Sequence, residues 1–439
     1  MPENTYPKTT LTDRLEFFKG PLIAFITALV LYGAVSGDRL ATNSRDNHYV
    51  YLADAMLHGR LHLDGAPPSR NDWARYDNKW FVSFPPLPAI LMIPGVAISG
   101  LKYNDRIFSL FFAALGPALL LLLLQMMVAR ARLNRKLHNL WMLAILYGFG
   151  TVYFFSAVQG SVWFTAHMVG STMLLLYMIF ALDGRRPILA GLFLGLAFAC
   201  RPPMLLAFPF FIYEILRQYE PANAAGPINW VRASLKSMGL RRAITKAALF
   251  GTPILLVISA LMLMNEARFD DPFEFGHRFL QVKQTARIAK WGLFNYHYLG
   301  HNLAVVLTSL PWFIGKEPYV YVSLHGLAIW VTTPVFFFLL WPKDKSRMYM
   351  LTAFTALLIA LPSLLYQNSG WVQFGYRFSL DFTPMLMVML AIGGRKFGKL
   401  FIATLAMSII INLFGAVTFD REWKYYAGGR NKDRIHQPN

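Results

Sequence analysis

Apolar runs of membrane-crossing length recur along the chain. A helix needs roughly 20 apolar residues to cross a hydrocarbon core of about 30 Å. Runs that predict such helices lie at residues 106–128, 138–157, 162–182, 247–264, 322–341, 347–366, 376–393 and 399–418. A shorter run at residues 21–35 follows a segment that mixes acids and bases, unlike a signal peptide, so it predicts a retained first span.

Short basic loops separate these runs. Because Lys and Arg concentrate in short cytoplasmic loops, these loops and the N-terminus are expected on the cytoplasmic side. The loop residues are Arg130, Arg132, Arg135, Lys136, Arg185, Arg186, Lys343, Lys345, Arg347, Arg395, Lys396 and Lys399. The basic C-terminal residues conflict with the outer position that the span count gives them; they are Arg421, Lys424, Arg430, Lys432 and Arg434.

Residues 188–216 lie between two basic loops, so this segment must cross and return as a hairpin. Its break is predicted at "CRPPM", because Pro202 and Pro203 do not continue a helix. The first arm reaches only about 20 Å at 1.5 Å per residue. Arg201 is therefore expected at the tip of a short hairpin, below the outer surface of the membrane.

Two further apolar segments fit the topology only as helices at the outer interface. They are residues 86–100 and residues 291–313, the second of which carries Trp and Tyr suited to the headgroup level. The pattern therefore predicts an all-α polytopic membrane protein with about eleven transmembrane helices, N-terminus inside and C-terminus outside. Residues 1–439 are expected to form one membrane domain, with outer loop one at 38–105 and outer loop four at 265–321.

Composition supports the membrane interpretation. Of the 439 residues, 56% are hydrophobic and 15% charged, and the mean hydropathy is +0.40, as in polytopic membrane proteins. The 42 Lys and Arg exceed the 23 Asp and Glu. This excess fits cytoplasmic loops and anionic lipid, and no nucleic-acid motif accompanies it. The single cysteine, Cys200, excludes an internal disulfide framework and is expected to be an apolar packing residue.

Polar residues concentrate in the two outer loops, so function is expected to face outward. In "SRDNHYVYLADAMLHGRLHLDG" the apolar residues follow helical spacing. Asp46 stands where an N-cap is expected, and a carboxylate there also lies at the mouth of any cleft between spans. Asp77 and Lys79 are expected to flank a turn. Solvated loop positions are expected for Asp54, Asp64 and Asp72.

Several segments, in this order, resemble the GT-C glycosyltransferases, especially protein O-mannosyltransferases and the lipid A aminoarabinose transferase. A first span is followed by an acid, a juxtamembrane helix, Lys79, a Pro-Pro-Leu-Pro segment and "NDR" before the next span. Similar stretches are "NEARFDDPFEFGHRF", "GLFNYHYLGHNL" and "GYRFSLDFTP". The chain departs from the family's "HPPL", because Phe84 replaces the histidine.

The resemblance implies a hexosyl- or pentosyltransferase that moves a sugar from a polyprenyl-phosphate donor to a lipid, glycan or protein acceptor outside the cytoplasmic (inner) membrane. Asp46 matches the family's essential acid and would accept the acceptor's hydroxyl proton. Cationic groups would stabilise the leaving lipid phosphate. The candidates for substrate binding are Arg201, Lys79, Arg377, Arg278, Glu274 and His167.

Each binding candidate also has a purely structural interpretation. A charged residue such as Arg201 is costly at membrane depth, which favours a functional role. Its side chain can also extend to the lipid headgroups. Arg377 is expected to form an i,i+4 ion pair with Asp381. Glu274, His277 and Arg278 form either an ordinary loop turn or an acceptor or phosphate site. His167 fits a polar contact between spans.

No motif predicts a transition-metal site, although a divalent ion held by Asp46 and another loop acid is an alternative. Rival functions are a lipid-linked sugar flippase or other multi-pass transporter, an O-antigen-ligase-like enzyme that uses a diphosphate donor, and a nonenzymatic scaffold. The transporter class often shows inverted repeats and helices broken near the midplane, whereas this chain shows one shallow break at Arg201 and polar clusters outside. Pocket shape sets the sugar and acceptor, and no pattern specifies the oligomeric state.

Overall fold

The computed structural model describes residues 11–69, 71–220, 226–282 and 284–426. The expectations for the first ten residues and for Arg430, Lys432 and Arg434 lie outside the described residues. The described chain is mostly helical, with two small antiparallel sheets. In chain order the helices are α1 Leu11–Ser36, α2 His48–Leu57, α3 Leu87–Ser99, α4 Asp105–Ala129, α5 Leu137–Phe149, α6 Tyr153–Ala157, α7 Val162–Ala181, α8 Pro187–Phe198, α9 Phe208–Leu216, α10 Pro227–Met238, α11 Leu240–Phe269, α12 Thr285–Trp291, α13 Leu299–Thr308, α14 Ile329–Thr332, α15 Arg347–Leu364, α16 Thr383–Ile392 and α17 Lys399–Thr418.

The chain is a multi-pass membrane protein. Within the described ranges, six helices are long and apolar enough to cross a membrane: α1, α4, α7, α11, α15 and α17. Each coincides with a predicted apolar run. The count of about eleven spans is not confirmed, since α3, α5, α8 and α16 are apolar but shorter.

Three predicted spans are broken into pieces. The run at 376–393 contains a 3-10 turn at Arg377–Asp381 and the ten-residue helix α16. The run at 138–157 divides into α5 and α6, because α5 ends at Phe149 with Gly150 as its C-cap and the Thr151 hydroxyl accepts from the Tyr153 N–H to start the next helix. The run at 322–341 contains only α14 and a 3-10 turn at Pro334–Leu339. Pro334 offers no N–H to a preceding turn, so prediction of one continuous helix there is wrong.

The hairpin predicted at 188–216 is present as two helices with a bend between them. Helix α8 ends at Phe198, and a 3-10 turn at Pro202–Ala207 leads into α9. The Leu87 N–H donates to the Ala199 carbonyl over 3.1 Å, so the start of α3 is fastened to this bend. The predicted helix at 86–100 is therefore formed, and it lies against the tip of the hairpin.

Neighbouring helices pack side by side in the order α1, α4, α7, α8, α11. Helix α7 is the most buried of the six long apolar helices, whereas α1 and α11 expose most of their apolar surface. The centre of the bundle therefore lies around α7, and a side chain that contacts α7 near its N-terminus is held by the most buried of these six helices.

The two predicted outer loops contact each other. Strands β1 Trp73–Tyr76 and β2 Lys79–Val82 form an antiparallel hairpin in which Trp73 pairs with Val82. A second pair, β3 Trp312–Phe313 and β4 Val320–Tyr321, lies near the end of the other loop. Loop 265–321 meets β1 through the Gln281 N–H, which donates to the Trp73 carbonyl over 3.1 Å.

Close backbone packing between α8 and α11 generates a stability prediction. A Cβ at Gly191 of α8 would lie 2.0 Å from the Phe250 carbonyl oxygen, whereas a Cβ at Gly251 of α11 would meet nothing within 4 Å. Gly191→Ala should therefore lower the free energy of unfolding by about 1–3 kcal/mol through overpacking. Gly251→Ala is the matched control and should cause no loss. Thermal unfolding in detergent measures both; equal melting temperatures for the two variants would contradict this packing.

Candidate functional site

Asp46 lies at the start of α7 rather than at the cap of its own helix. Helix α2 begins at His48 with Asn47 as its N-cap residue, so the prediction that Asp46 is the N-cap is wrong. The Asp46 main-chain carbonyl instead accepts from the Val162 N–H over 3.0 Å. Its carboxylate Oδ1 accepts a long hydrogen bond, 3.3 Å, from the Asn71 side chain, and the Ser69 side chain also bonds the carboxylate. The main chain is fixed while the carboxylate keeps capacity for a further hydrogen bond.

Burial raises the pKa of Asp46 above the ordinary value of 3.8, and the Asn71 amide and Arg45 oppose this rise. The neighbouring His48 ring stacks on Trp73 with ring centroids 3.9 Å apart, and its Nε2 lies 2.8 Å from the Asn71 carbonyl oxygen. Burial lowers the pKa of His48. The acid therefore lies beside a neutral, packed imidazole, in a setting that favours its accepting a proton.

Asp72 was expected to be a solvated loop acid, and this prediction is wrong. The Trp163 indole N–H of α7 donates to Asp72 Oδ2 over 2.9 Å. Burial raises the pKa of Asp72; the Trp163 hydrogen bond opposes this rise, and the nearby charge of Asp46 adds to it. The two carboxylates thus share one region. The contact joins residues 91 positions apart, and no local pattern in the sequence marks it.

One face of α7 carries the next contacts. Trp163, His167 and Gly170 are spaced i, i+4 and i+7, so they lie on the same side of the helix. The His167 Nδ1 is 3.0 Å from Asp381 Oδ1, and both side chains are fully buried. His167 therefore makes the polar contact expected of it, and its partner is an acid 214 residues away.

Asp381 also binds Arg201 through both of its oxygens. Arg201 Nε donates to Oδ1 over 3.1 Å and Nη2 donates to Oδ2 over 2.8 Å. The Arg201 side chain retains 20% of its exposure, and its guanidinium lies 5.1 Å from the Phe378 ring. Gly170 makes room for it, because a Cβ there would lie 3.2 Å from Arg201 Cγ. The hairpin tip thus holds a cation that a buried carboxylate orients.

Arg377 does not form the predicted i,i+4 ion pair with Asp381. Its guanidinium instead donates to the carbonyls of Gly370 and Val372, the latter over 2.9 Å. The phenyl rings of Phe164 and Phe378 lie 5.4 Å from it. Within the described residues the buried Arg377 Nε has no hydrogen-bond partner. Backbone carbonyls hold this second cation, because Arg201 and His167 occupy the carboxylate that was assigned to it.

Tyr366 lies near Asp72 and the two arginines. Its hydroxyl lies within electrostatic range of Asp72, Arg201 and Arg377, and Asp72 is in turn within range of Arg377 and Asp46. These residues come from outer loop one, the hairpin tip and the segment before α16. They lie along the N-terminal half of α7, from Trp163 to Gly170. Asp72, Asp381 and Tyr366 were not among the predicted site residues.

The remaining candidates contact residues of their own loops. Lys79 on β2 is half exposed, and its Nζ lies 3.9 Å from Asp77. Arg278 is 76% exposed and its Nε lies 3.4 Å from Glu274. Glu274 Oε1 accepts the Gly276 N–H over 2.7 Å. These contacts describe turns in loops that face the site's side of the bundle, and the roles of all three in substrate binding remain predictions.

A metal ion would find two acids here. No group of three or more His, Cys, Asp or Glu that could hold a metal occurs among the described parts of the chain. Asp46 and Asp72 lie within electrostatic range of each other. Mg²⁺ commonly binds through one or two carboxylates together with substrate phosphates, so two acids are enough in number for that mode and too few for an all-protein cage.

Comparison with known proteins finds similar solved structures only. No family model matches the chain, and no curated protein matches it. Two similar structures are the oligosaccharyltransferase of Archaeoglobus fulgidus in apo form, with 14% identity and TM-score 0.41, and the same enzyme, AglB, with an inhibitory peptide and a dolichol-phosphate, with 14% identity and TM-score 0.42. They cover 97% and 96% of this chain, which spans 57% of each of theirs.

A third similar structure is that enzyme tethered to an acceptor peptide with the NVT sequon, with 13% identity, TM-score 0.40, and coverage of 95% of this chain and 57% of its own. At these scores, the roles of individual residues are taken from the contacts of this chain alone.

The buried ion pair predicts a strong effect of charge removal. Asp381→Asn leaves the Arg201 guanidinium without its counter-charge and should cost about 3–5 kcal/mol of unfolding free energy. The control is Asp64→Asn, because Asp64 is 87% exposed in a surface pair with Arg60; this change should shift the melting temperature little. Thermal unfolding in detergent measures both. Equal melting temperatures for Asp381→Asn and the wild type would contradict this role for the pair.

Proposed function

We propose that the chain is a membrane glycosyltransferase that moves a sugar from a polyprenyl-phosphate-linked donor to an acceptor hydroxyl. The observation that carries this proposal is the arrangement at the start of α7: the backbone carbonyl of Asp46 is bonded to Val162, and one and two turns further along, the same helix contacts Asp381 and Arg201. A carboxylate can accept the proton of the acceptor hydroxyl, and an oriented cation can stabilise the leaving phosphate. The two groups on this helix therefore fit a glycosyl transfer.

The proposed reaction involves the Asp46 carboxylate, the acceptor hydroxyl and the donor's lipid phosphate. A carboxylate oxygen of Asp46 takes the proton of the acceptor hydroxyl as the acceptor oxygen bonds to the anomeric carbon. The bond from that carbon to the phosphate oxygen breaks, and its electron pair stays on the lipid phosphate. Cationic donors stabilise this growing negative charge. The products are the glycosylated acceptor, the lipid phosphate and a protonated Asp46, which returns its proton to solvent.

Arg201 is the cation best prepared for this role. Asp381 accepts from Nε and Nη2, so the guanidinium is oriented before substrate arrives, and donors fixed in advance need no reorganisation during the reaction. Arg377 is more deeply buried, so it would stabilise the leaving phosphate by electrostatic attraction at a distance and not by direct contact. His167 is a positioning residue, because its Nδ1 contacts the buried Asp381 and not the exposed part of the site.

Lys79, Arg278 and Glu274 would bind substrate at the rim. Their contacts are with loop neighbours, and two of them are largely exposed, so a phosphate or acceptor group can replace those contacts at little cost. A divalent ion, if used, would be held by Asp46 and Asp72 together with donor phosphate. It would supply further positive charge at the leaving group.

The proposal places the protein in the cytoplasmic (inner) membrane with the site facing outward, as the basic loops indicate. The donor would be a hexosyl or pentosyl polyprenyl phosphate, and the acceptor a lipid, glycan or protein. Pocket shape selects among these classes.

Asp46→Asn should abolish transfer while preserving the fold, because the amide keeps the shape of the carboxylate but does not accept the proton. We expect a loss of about 10²–10⁴-fold in rate, the usual contribution of a general base. The assay supplies membranes with labelled polyprenyl-phosphate sugar and measures labelled acceptor. Asp54→Asn, on α2 and paired with His58, is the matched control and should retain activity.

Wild-type rates in Asp46→Asn would refute the catalytic role. Movement of labelled lipid across the membrane by the wild type, without transfer to any acceptor, would refute the enzyme assignment and favour a transporter.

The acid limb of the pH profile reports the base directly. Because burial raises the pKa of Asp46, the ionised base is lost on acidification at a pH above that of an ordinary aspartate. Asn71 donates to Oδ1 and so stabilises the ionised form. Asn71→Ala should therefore raise the pKa further and move the acid midpoint of kcat/KM to higher pH.

The control is Asn43→Ala, whose side chain donates to the Leu101 carbonyl and not to Asp46, and its midpoint should equal that of the wild type. A midpoint that stays constant or falls in Asn71→Ala would show that Asp46 is not the titrating base.

A further inference from the structure

A polar cavity lies apart from the Asp46 carboxylate. It occupies about 510 Å³ where α1 ends, α4 begins and the chain leaves α17. Three arginines line it, Arg39, Arg106 and Arg421, with Asp38 and Asp420 beside them. Asp420 lies within electrostatic range of Asp46, so the cavity is at the same end of the bundle as the candidate site. Neither the proposed reaction nor its residues use this arginine cavity.

Asp420, one of the two acids that line the cavity, is paired with Arg39. Arg39 Nη2 donates to Asp420 Oδ2 over 2.9 Å and to Gln159 Oε1 over 3.1 Å. Arg421 Nη2 donates to the Val35 carbonyl over 2.7 Å. Asp38 is exposed. The lining therefore carries three positive charges against two negative ones, and one of the two acids is paired with Arg39.

Several guanidinium nitrogens have nothing to bind. In the described part of the chain, Arg39 Nη1, Arg106 Nε and Nη1, and Arg421 Nε are buried without a hydrogen-bond partner. A buried donor without a hydrogen bond is unfavourable, and more so when the group is charged. All three arginines also lie within range of one another's repulsion. The protein encloses these four nitrogens, but all three arginine side chains are partly exposed. A ligand with several anionic oxygens would contact the accessible parts of the guanidinium groups and offset the repulsion among them.

The surroundings indicate where such a ligand comes from. Val30 and Leu31 of α1 are 62% and 44% exposed, and Ile107, next to Arg106 on α4, is 54% exposed. These apolar side chains on long apolar helices would face acyl chains. The cavity is at the ends of those helices, at the level where the headgroups of a bilayer begin.

We propose that the arginine cavity binds the phosphate headgroup of an anionic membrane lipid, whose acyl chains lie along α1 and α4. Arginine binds phosphate oxygens through paired, charge-assisted hydrogen bonds, and the open side of the cavity admits a headgroup that remains attached to its lipid. This site is separate from the proposed transfer reaction and stands whether or not the chain is a glycosyltransferase.

The test is lipid binding to the full-length purified protein, by native mass spectrometry in detergent with added phosphatidylglycerol. Arg106→Gln is the main variant, because no hydrogen-bond partner is assigned to Arg106 Nε or Nη1 and folding should tolerate the change. We expect at least about tenfold weaker binding, as for loss of a charged hydrogen bond. Arg106→Lys, which keeps a point charge, should recover part of the affinity.

Lys102→Gln is the control. It removes one positive charge from an exposed residue at the same end of the bundle that does not line the cavity. Equal phosphatidylglycerol affinity in Arg106→Gln and in Lys102→Gln would overturn the proposal. Binding of phosphatidylcholine as tightly as phosphatidylglycerol would also overturn it, and so would displacement of the lipid by millimolar inorganic phosphate with no preference for the lipid, which would identify a free-phosphate site.

Discussion

The bidentate contact between Arg201 and Asp381 is the interaction on which the site depends. An arginine at the tip of a short hairpin in an apolar bundle is stable only with a counter-charge, and Asp381 supplies it from the turn before α16. His167 completes the contact from α7. Three distant parts of the chain are therefore joined by one carboxylate. Because that carboxylate is occupied, Arg377 turns to backbone carbonyls, and the two cations are held by different means.

Helix α7 serves as the common support for both halves of the site. Its first N–H fixes the Asp46 main chain, Trp163 holds the Asp72 carboxylate, and His167 holds Asp381. Asp46 is therefore held to α7 through its backbone, while its carboxylate is hydrogen-bonded by Asn71 and Ser69 of its own loop. A rigid and buried support is what a base and a leaving-group cation require if they are to act on one substrate.

Elements that depend on local pattern could be predicted from the sequence. Length and apolar composition located the six long helices, and Pro202 and Pro203 located the hairpin bend. Pairings across the chain could not be predicted. Asp72 meets Trp163, and Asp381 meets Arg201, over separations of 91 and 180 residues, and nothing in their neighbouring residues records either contact. The assignment of Asp381 to Arg377 failed for the same reason, because helical spacing cannot reveal a stronger distant partner.

In the proposed mechanism, cationic groups bind the donor phosphate and Asp46 accepts the proton. Donor binding and sugar transfer can therefore be measured separately. Donor affinity and the single-turnover transfer rate should be determined for Asp46→Asn with a polyprenyl-phosphate sugar. The account predicts a Kd close to that of the wild type and a transfer rate lower by at least about a hundredfold, since the base acts on the acceptor and not on the donor. A transfer rate equal to that of the wild type, or a loss of activity explained wholly by weaker donor binding, would contradict it.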